Sequence, residues 1–432
     1  MTANDTLIVF LRGHKAAHIT RRGPQLCLVY SEEYAEQPTA SPLSLSMPLQ
    51  VAQFDDRRVE SWISGLLPGN PDVRRRWAAK YGAVSPQAFD LLGTSIGMDC
   101  PGAVQFCKPE SVEALTGRGG GVDWLSENEL GDLVAGMARE SSRWVRPQGH
   151  SAFSLAGAQA KTALYRQDGD NDRWGEPWGQ TPTTHILKPS MADFVDQSLN
   201  EHLCMTAARY CGLASARTEM TVIDGHRVLV VHRFDRLRGA DGVIRRVHQE
   251  DLHQACGDPD ASIYQGEHGE GHNIARLARL LADNSADPDN DKRRFFDALA
   301  LNWVLCNTDA HSKNYSILFN GNEIRLAPLY DVWSIMPHDP DHYRSYTLAM
   351  SPQADRRVIA ADNPQTWAAT ALAMGLDPDE GIRRAQRIAD AVPQALERAA
   401  DELQPEFRDS PTLQTLLTMS IKRRDQCIKG WL

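Results

Sequence analysis

Asn307-Thr308-Asp309-Ala310-His311-Ser312-Lys313-Asn314, followed by Tyr315 to Phe319, the turn Asn320-Gly321, Glu323 to Ala327 and then Tyr330-Asp331, is the stretch that decides the fold. The residues before it place Phe295, Phe296, Leu299, Trp303 and Cys306 near one face, which predicts an apolar helix ending in a crowd of polar groups. A strand pair then reverses at Asn320-Gly321 and brings Asp331 back beside Asn314. Phosphoryl transfer needs a carboxylate to orient and deprotonate the acceptor hydroxyl, and an amide oxygen with a second carboxylate to hold Mg²⁺ on the phosphates. Asp309, Asn314 and Asp331 supply all three. The D-x-x-x-x-N spacing equals that of the eukaryotic protein-kinase catalytic loop. Each residue alone has a plainer reading, as an Asx turn, a turn residue or a loop carboxylate, and it is their combination with the hairpin that points to chemistry. His311 and Lys313, inside the loop, are within reach of a phosphate.

Upstream, Ser154-Leu155-Ala156-Gly157-Ala158-Gln159-Ala160-Lys161-Thr162 is a small-residue turn before a strand, a backbone able to approach phosphate closely. It is not a Walker A loop, which requires G-x-x-x-x-G-K-[ST]. Lys161 to Arg166 and Thr184 to Leu187 read as a hairpin with a long polar tip, ending at Lys188, and a helix from Phe194 to Tyr210 closes at Gly212. Lys188 stands where a kinase keeps its phosphate-pairing lysine, and Glu201 on that helix is its candidate ion-pair partner; the plain alternative is a surface salt bridge. Strands at Thr218 to Ile223 and Arg227 to His232 are joined by Asp224-Gly225. Beyond Gln249 the chain reads as helical apart from the hairpin already described.

The first hundred residues predict a small β-containing module, with Leu7 to Leu11 apolar throughout and Leu43, Leu45 and Met47 alternating with serines. A helix near Pro71 puts Val73, Trp77, Ala78 and Tyr81 on one face, across from the arginines at 74, 75 and 76. The glycine-rich run Gly117 to Gly121 and the capping box Ser126 to Glu129 mark a subdomain joint.

A chain of 432 residues accommodates two or three domains, and 42% apolar with 24% charged residues is ordinary for a globular protein. The net charge of −10 argues against a protein that coats nucleic acid unaided. The eight cysteines form no C-x-x-C pair, so neither a zinc knuckle nor a disulfide framework is expected. No secretory signal or membrane span is read, and the cytoplasm is the expected location.

With these pieces assembled, the chain resembles the HipA family of toxin kinases from Leu43-Ser44-Leu45-Ser46-Met47-Pro48-Leu49 to Asp331. The blocks that agree in order are Gly102 to Phe106, Leu155 to Gln159, Thr184 to Lys188, Asn200-Glu201, Arg233 to Arg236, His248 to Asp251, Asp309 to Asn314, and Tyr330-Asp331. The resemblance implies an α+β fold: a protein-kinase-like two-lobed core with an N-terminal β-rich subdomain (1–120), an N-lobe-like region with phosphate loop and hinge (121–245), and a mostly helical C-lobe (246–432).

It implies a serine/threonine-protein kinase toxin of a toxin-antitoxin module, using ATP and Mg²⁺. Asp309 would be the base, Asn314 and Asp331 the metal ligands, Lys188 the α/β-phosphate lysine, Ala156 to Lys161 the phosphate loop, and His232, Arg233 and Phe234 the hinge at adenine. Ser154 would be an autophosphorylation site that silences the enzyme. The implied partners are a protein substrate related to translation, such as an aminoacyl-tRNA synthetase, and a HipB-type helix-turn-helix antitoxin through which operator DNA is reached indirectly. Arg383, Arg384 and Arg387 would share a helix face there, with a solvated face as the plainer reading. The sequence departs from the family pattern at His232, where an acidic residue is expected, and at Ala160, where glutamate is common. A small-molecule kinase and a silent pseudokinase acting as a DNA-bound co-repressor are the competing readings. A zinc site on His268 and His272 lacks H-E-x-x-H, and Asp287, Asp289 and Asp291 lack the glycine and glutamate of an EF-hand.

Overall fold

Five antiparallel strands form the N-terminal module because its apolar runs are short and turn-bounded: β1 (Thr6–Leu11), β2 (His14–Arg22), β3 (Gln25–Tyr30), β4 (Gln53–Phe54) and β5 (Val104–Cys107), in the order β4-β3-β2-β1-β5. The computed structural model describes residues 5–117, 119–140, 142–146, 152–157, 159–167, 173–190, 194–265, 271–321, 323–352, 359, 363–429 and 431. The helix Pro71–Tyr81 buries Val73, Trp77 and Ala78 as its spacing predicts, and stops at Gly82, whose φ of 67° only glycine adopts at little cost. The expected strand at Leu43, Leu45 and Met47 is instead a turn. Ser44 and Ser46 bond each other (2.7 Å) and the Ser46 N–H donates to Ser44 Oγ (3.1 Å), so side-chain hydroxyls replace a ladder.

A second, six-stranded sheet is built from β6 (Gly120–Trp124), β7 (Thr162–Gln167), β8 (Arg173–Gly179), β9 (His185–Pro189), β10 (Thr218–Ile223) and β11 (His226–His232), in the order β10-β11-β9-β7-β8-β6. Two expectations are corrected here. The polar tip between β7 and β9 contains β8, and part of the glycine-rich run is the edge strand β6 that pairs with it. Gly, Pro and Asp mask strand character in a sequence, yet an edge pair tolerates them. The Asp224-Gly225 turn has positive φ at both residues, 48° and 74°, the two-residue hairpin turn its sequence calls for. The helix Gln197–Tyr210 packs against this sheet and is buried along nearly its whole length, beginning three residues later than its pattern suggests.

The short ribbon β12 (Arg236–Arg238) and β13 (Ile244–Arg246) precedes β14 (His248–Asp251), which pairs with β15 (Ser316–Asn320); β15 pairs in turn with β16 (Glu323–Leu326). The expected isolated hairpin is thus a three-stranded sheet, and the chain after Gln249 is not helical until Leu252. The remainder is helical, centred on the buried helix Pro288–Val304 and the long helix Pro378–Asp401. Among the described residues no helix is long and apolar enough to cross a membrane, and no cysteines are joined in a disulfide.

Two large apolar cores result among the described residues, beside a small cluster of Ile8, Phe10, Cys107 and Leu115. One unites the N-terminal module with the helix Glu127–Arg139 and parts of β7, β9 and β11; the other holds the C-terminal helices around the helix Gln197–Tyr210. They are bolted together by a buried charge cluster. Asp99 receives Arg236 (2.9 Å), Arg246 (3.2 Å) and the Thr183 hydroxyl (2.6 Å), while Arg233 and Arg236 both reach Asp235. Asp235 also accepts the Gly102 N–H at 2.7 Å, and a Cβ at Gly102 would lie 2.6 Å from the Gln249 nitrogen, so glycine alone permits that approach. A second fastening joins the Leu45 N–H to the buried Glu250 carboxyl at 2.7 Å, a group that burial raises to about 8.

Candidate active site

The helix Pro288–Val304 ends because Cys306 turns the chain at a φ of 54°, and Asn307 then fixes the next turn by bonding Asn302 (3.0 Å) and accepting the Asp309 N–H (3.2 Å). Asp309 is left at the mouth of a cavity of about 1100 Å³ with 45% of its side chain exposed. The loop closes on itself when the Asn314 amide donates to the Asp309 carbonyl at 2.7 Å, which aims the Asn314 side chain at the same cavity. Tyr330 returns the hairpin by bonding Ser316 (2.6 Å) and the Lys313 carbonyl (2.7 Å), and Asp331 follows in a left-handed conformation (φ 59°). A non-glycine residue held there costs on the order of 1 kcal/mol and is characteristic of functional sites. The spacing read in the sequence therefore brings Asp309, Asn314 and Asp331 to one cleft.

The opposite wall supplies the cations. Lys188, on β9, places Nζ 2.7 Å from Glu201 and 2.9 Å from Asp331, so the pair anticipated between Lys188 and Glu201 is buried rather than a surface bridge. Burial opposes an ionised Asp331, but Lys188 and Lys161 prevail and hold its carboxyl at about 2. Lys161 donates to the Ala156 carbonyl at 2.9 Å, and burial, reinforced by Lys188, lowers it to about 8. Gly157 sits at a φ of 107°, where a Cβ would meet Lys161 Nζ at 2.4 Å. Its carbonyl accepts the Gly69 N–H at 3.3 Å, which seats the turn on the N-terminal module.

The other anticipated residues divide. Ala156 and Gln159 line the cavity, Ala160 is fully buried in the N-terminal core, and Ala158 lies outside the described residues. Ser154 is buried, its hydroxyl donating to the Leu66 carbonyl and its N–H to the Asp99 carbonyl (2.8 Å). At the hinge, Phe234 faces Tyr330 with ring centres 5.8 Å apart, but the Arg233 side chain is spent on the charge cluster and its N–H on the Thr184 carbonyl (3.0 Å). His232 turns to His185 (3.1 Å) and Glu219 (2.6 Å). His311 lies 3.8 Å from Asp309, and Lys313 lies 4.0 Å from Asp251. Arg384 and Arg387 both bond Asp297 and Arg383 lies 3.9 Å from Asp377, so the arginine face is engaged within the chain. His272 bonds His253 at 3.0 Å, His268 lies outside the described residues, and among those residues no trio of His, Cys, Asp or Glu is placed to hold a metal by itself.

Asp251 and Tyr264 are cleft residues to which the sequence assigned no role. Asp251 is buried and raised to about 6 by that burial; its capping box with Gln254 was visible as D-x-x-Q. Tyr264, whose hydroxyl donates to Asp309 Oδ1 at 3.2 Å, carried no local signal.

The site fits a polyphosphate with a hard cation. Among the described residues the Gln159 amide nitrogen and His311 Nδ1 are buried without a hydrogen-bond partner, two neighbouring lysines favour an anion, and the oxygens of Asn314 and Asp331 suit Mg²⁺.

Comparison with known proteins agrees. Residues 153–398 match the HipA-like C-terminal domain, and residues 7–107 match the HipA N-terminal domain. A Sinorhizobium fredii protein named provisionally as a kinase is 34% identical, with 88% of each chain covered. The serine/threonine-protein kinase toxin HipA of Shewanella oneidensis is 26% identical, over 83% of this chain and 81% of that one. The solved complex of Shewanella oneidensis HipA with HipB and operator DNA superposes at a TM-score of 0.81, covering 97% of both chains at 23% identity, which establishes the fold.

Proposed function

The chain belongs to the HipA family, and on that footing we propose that it is an ATP-dependent serine/threonine-protein kinase acting as the toxin of a toxin-antitoxin module. The observation that carries the reading is the meeting of Lys188, Glu201 and Asp331 with Asp309 and Asn314 in one cleft. Asp309 orients the acceptor hydroxyl and takes its proton as the acceptor oxygen bonds the γ-phosphorus of ATP; the bond to the β–γ bridging oxygen breaks and ADP leaves. Lys188, fixed by Glu201, binds the α- and β-phosphates, and the Ala156 to Lys161 turn offers the rest of the chain donors. Asn314 and Asp331 would hold Mg²⁺, which would supply positive charge against the transferred phosphoryl group. Adenine would lie against Phe234, with His232 and Arg233 contributing through the backbone path of the hinge.

On this reading residues 1–120 form the N-terminal subdomain, 121–245 the nucleotide-binding lobe and 246–432 the C-lobe. The partners are a protein substrate related to translation and a HipB-type antitoxin that links the chain to operator DNA. Ser154 is the autophosphorylation site; being buried against Leu66, it reaches the cleft only when the phosphate loop leaves its seat, and the added charge then keeps the loop out. Asp309, Asn314, Asp331 and Lys188 are all in place, which speaks against the pseudokinase reading; a small-molecule kinase would use the same core and differ in having a compact acidic acceptor pocket. The test is mass spectrometry of the protein after incubation with ATP and Mg²⁺. Phosphate on Ser154, absent in Asp309→Asn, is expected. A Ser154→Ala chain that gains phosphate at an unchanged rate would remove the silencing role.

A further inference from the structure

Asp309 stands half-exposed on a loop, where an aspartate has several rotamers open to it and only some face the acceptor. Its Oδ1 accepts the Tyr264 hydroxyl at 3.2 Å. That phenol is itself fixed. On one side of it the Ile263 carbonyl accepts both the N–H (3.1 Å) and the hydroxyl (3.0 Å) of Ser312, a member of the catalytic loop. On the other side the Gln265 N–H donates to the Ala349 carbonyl at 3.0 Å. The ring meets the edge of His311 with centres 5.3 Å apart and planes at 82°. Both neighbours of Tyr264 are thus tied to other parts of the fold, which seats its hydroxyl in the cleft beside Asp309.

We propose that Tyr264 is a positioning residue for the transfer step: its hydroxyl holds Asp309 in the rotamer that meets the acceptor hydroxyl. The proton still passes from the acceptor oxygen to Asp309, and Tyr264 neither gives nor takes one. This role rests on the kinase reading given above. It predicts a loss confined to turnover, because the group that the Tyr264 hydroxyl holds is the base.

The test is Tyr264→Phe, which keeps the ring against His311, assayed with γ-labelled ATP, Mg²⁺ and casein as a generic acceptor. We expect kcat to fall by about 10- to 100-fold, the range for losing a hydrogen bond to a charged group, with KM for ATP and the melting temperature unchanged. Unchanged kcat would make the contact idle, and a rise would make the hydroxyl a competitor of the acceptor; either overturns the proposal. So would a KM for ATP that rises with the fall in kcat, or phosphotyrosine at 264 in the wild type, which would make Tyr264 an acceptor. Wild type that transfers nothing removes the kinase reading and the proposal with it, whereas an active wild type matched by Tyr264→Phe removes the proposal alone.

Discussion

Asp99 and Asp331 are both carboxylates held by cations, yet they sit in opposite kinds of place. Asp99, with 6% of its side chain exposed, lies in a closed junction of Arg233, Arg236 and Arg246 with Thr183. Asp331, 32% exposed, meets Lys188 on the wall of an open cleft, on strained backbone, with Lys161 close by. In the first, three arginines meet two carboxylates, Asp99 and Asp235, and the Cys100 and Gly102 carbonyls take up further guanidinium donors, so the charges are closed in on one another away from the cleft. In the second, Lys161 and Lys188 face Glu201, Asp331 and the half-exposed Asp309 around a cavity of about 1100 Å³, so a ligand can reach their charges. A closed network serves the fold, and an open one serves chemistry.

Breaking the closed network should have the largest effect on stability. Burial works against a charged Asp99, but its three arginines hold the carboxyl well below the usual range. Asp99→Ala takes the carboxylate from Arg246 and leaves Arg233 and Arg236 to share Asp235, and should cost about 3–5 kcal/mol, read as a lowered denaturation midpoint. A loss below about 1 kcal/mol would show that the junction is not closed by charge.

In the open network the same kind of surgery should go the other way. Lys161 drops from an ordinary 10.5 to about 8, so the folded state carries its charge at a cost that is fully present below about pH 8 and relieved as pH rises towards 10.5. Lys161→Met should therefore stabilise the nucleotide-free protein at pH 7 by roughly 1–3 kcal/mol, discounted for the lost bond to Ala156, while weakening ATP binding. Thermal melts at pH 7 and pH 10 check this: the advantage should shrink at the higher pH. A destabilised variant at pH 7 would place Lys161 among the structural charges.

How much of this was legible in the sequence follows from the range of the interactions. Asp309, Asn314 and Asp331 were readable because one helix end and one hairpin bring them together within a short stretch, so local pattern encodes their geometry. Lys188 and Glu201 were readable for a similar reason, one ending a strand and the other on the next helix. The closed junction was not, since Asp99 and Arg236 are 137 positions apart and no local pattern couples them. The strands β8 and β14 were missed because Gly, Pro and paired carboxylates outweigh strand propensity, which tertiary pairing then restores. Arg233 was read as part of the hinge at adenine, and its guanidinium turns to Asp235 and Thr183, which leaves only its backbone for that role. A motif names the residue, and only packing tells which way its side chain turns.

The most direct test of the open cleft is transfer from γ-labelled ATP with Mg²⁺, measured for the wild type beside Asp309→Asn, with melting followed for both. The account predicts that wild type gains label, that Asp309→Asn gains it about 10²- to 10⁴-fold more slowly, and that the two melt alike. Equal labelling of the two chains, or a melting temperature that falls with the activity, would contradict it.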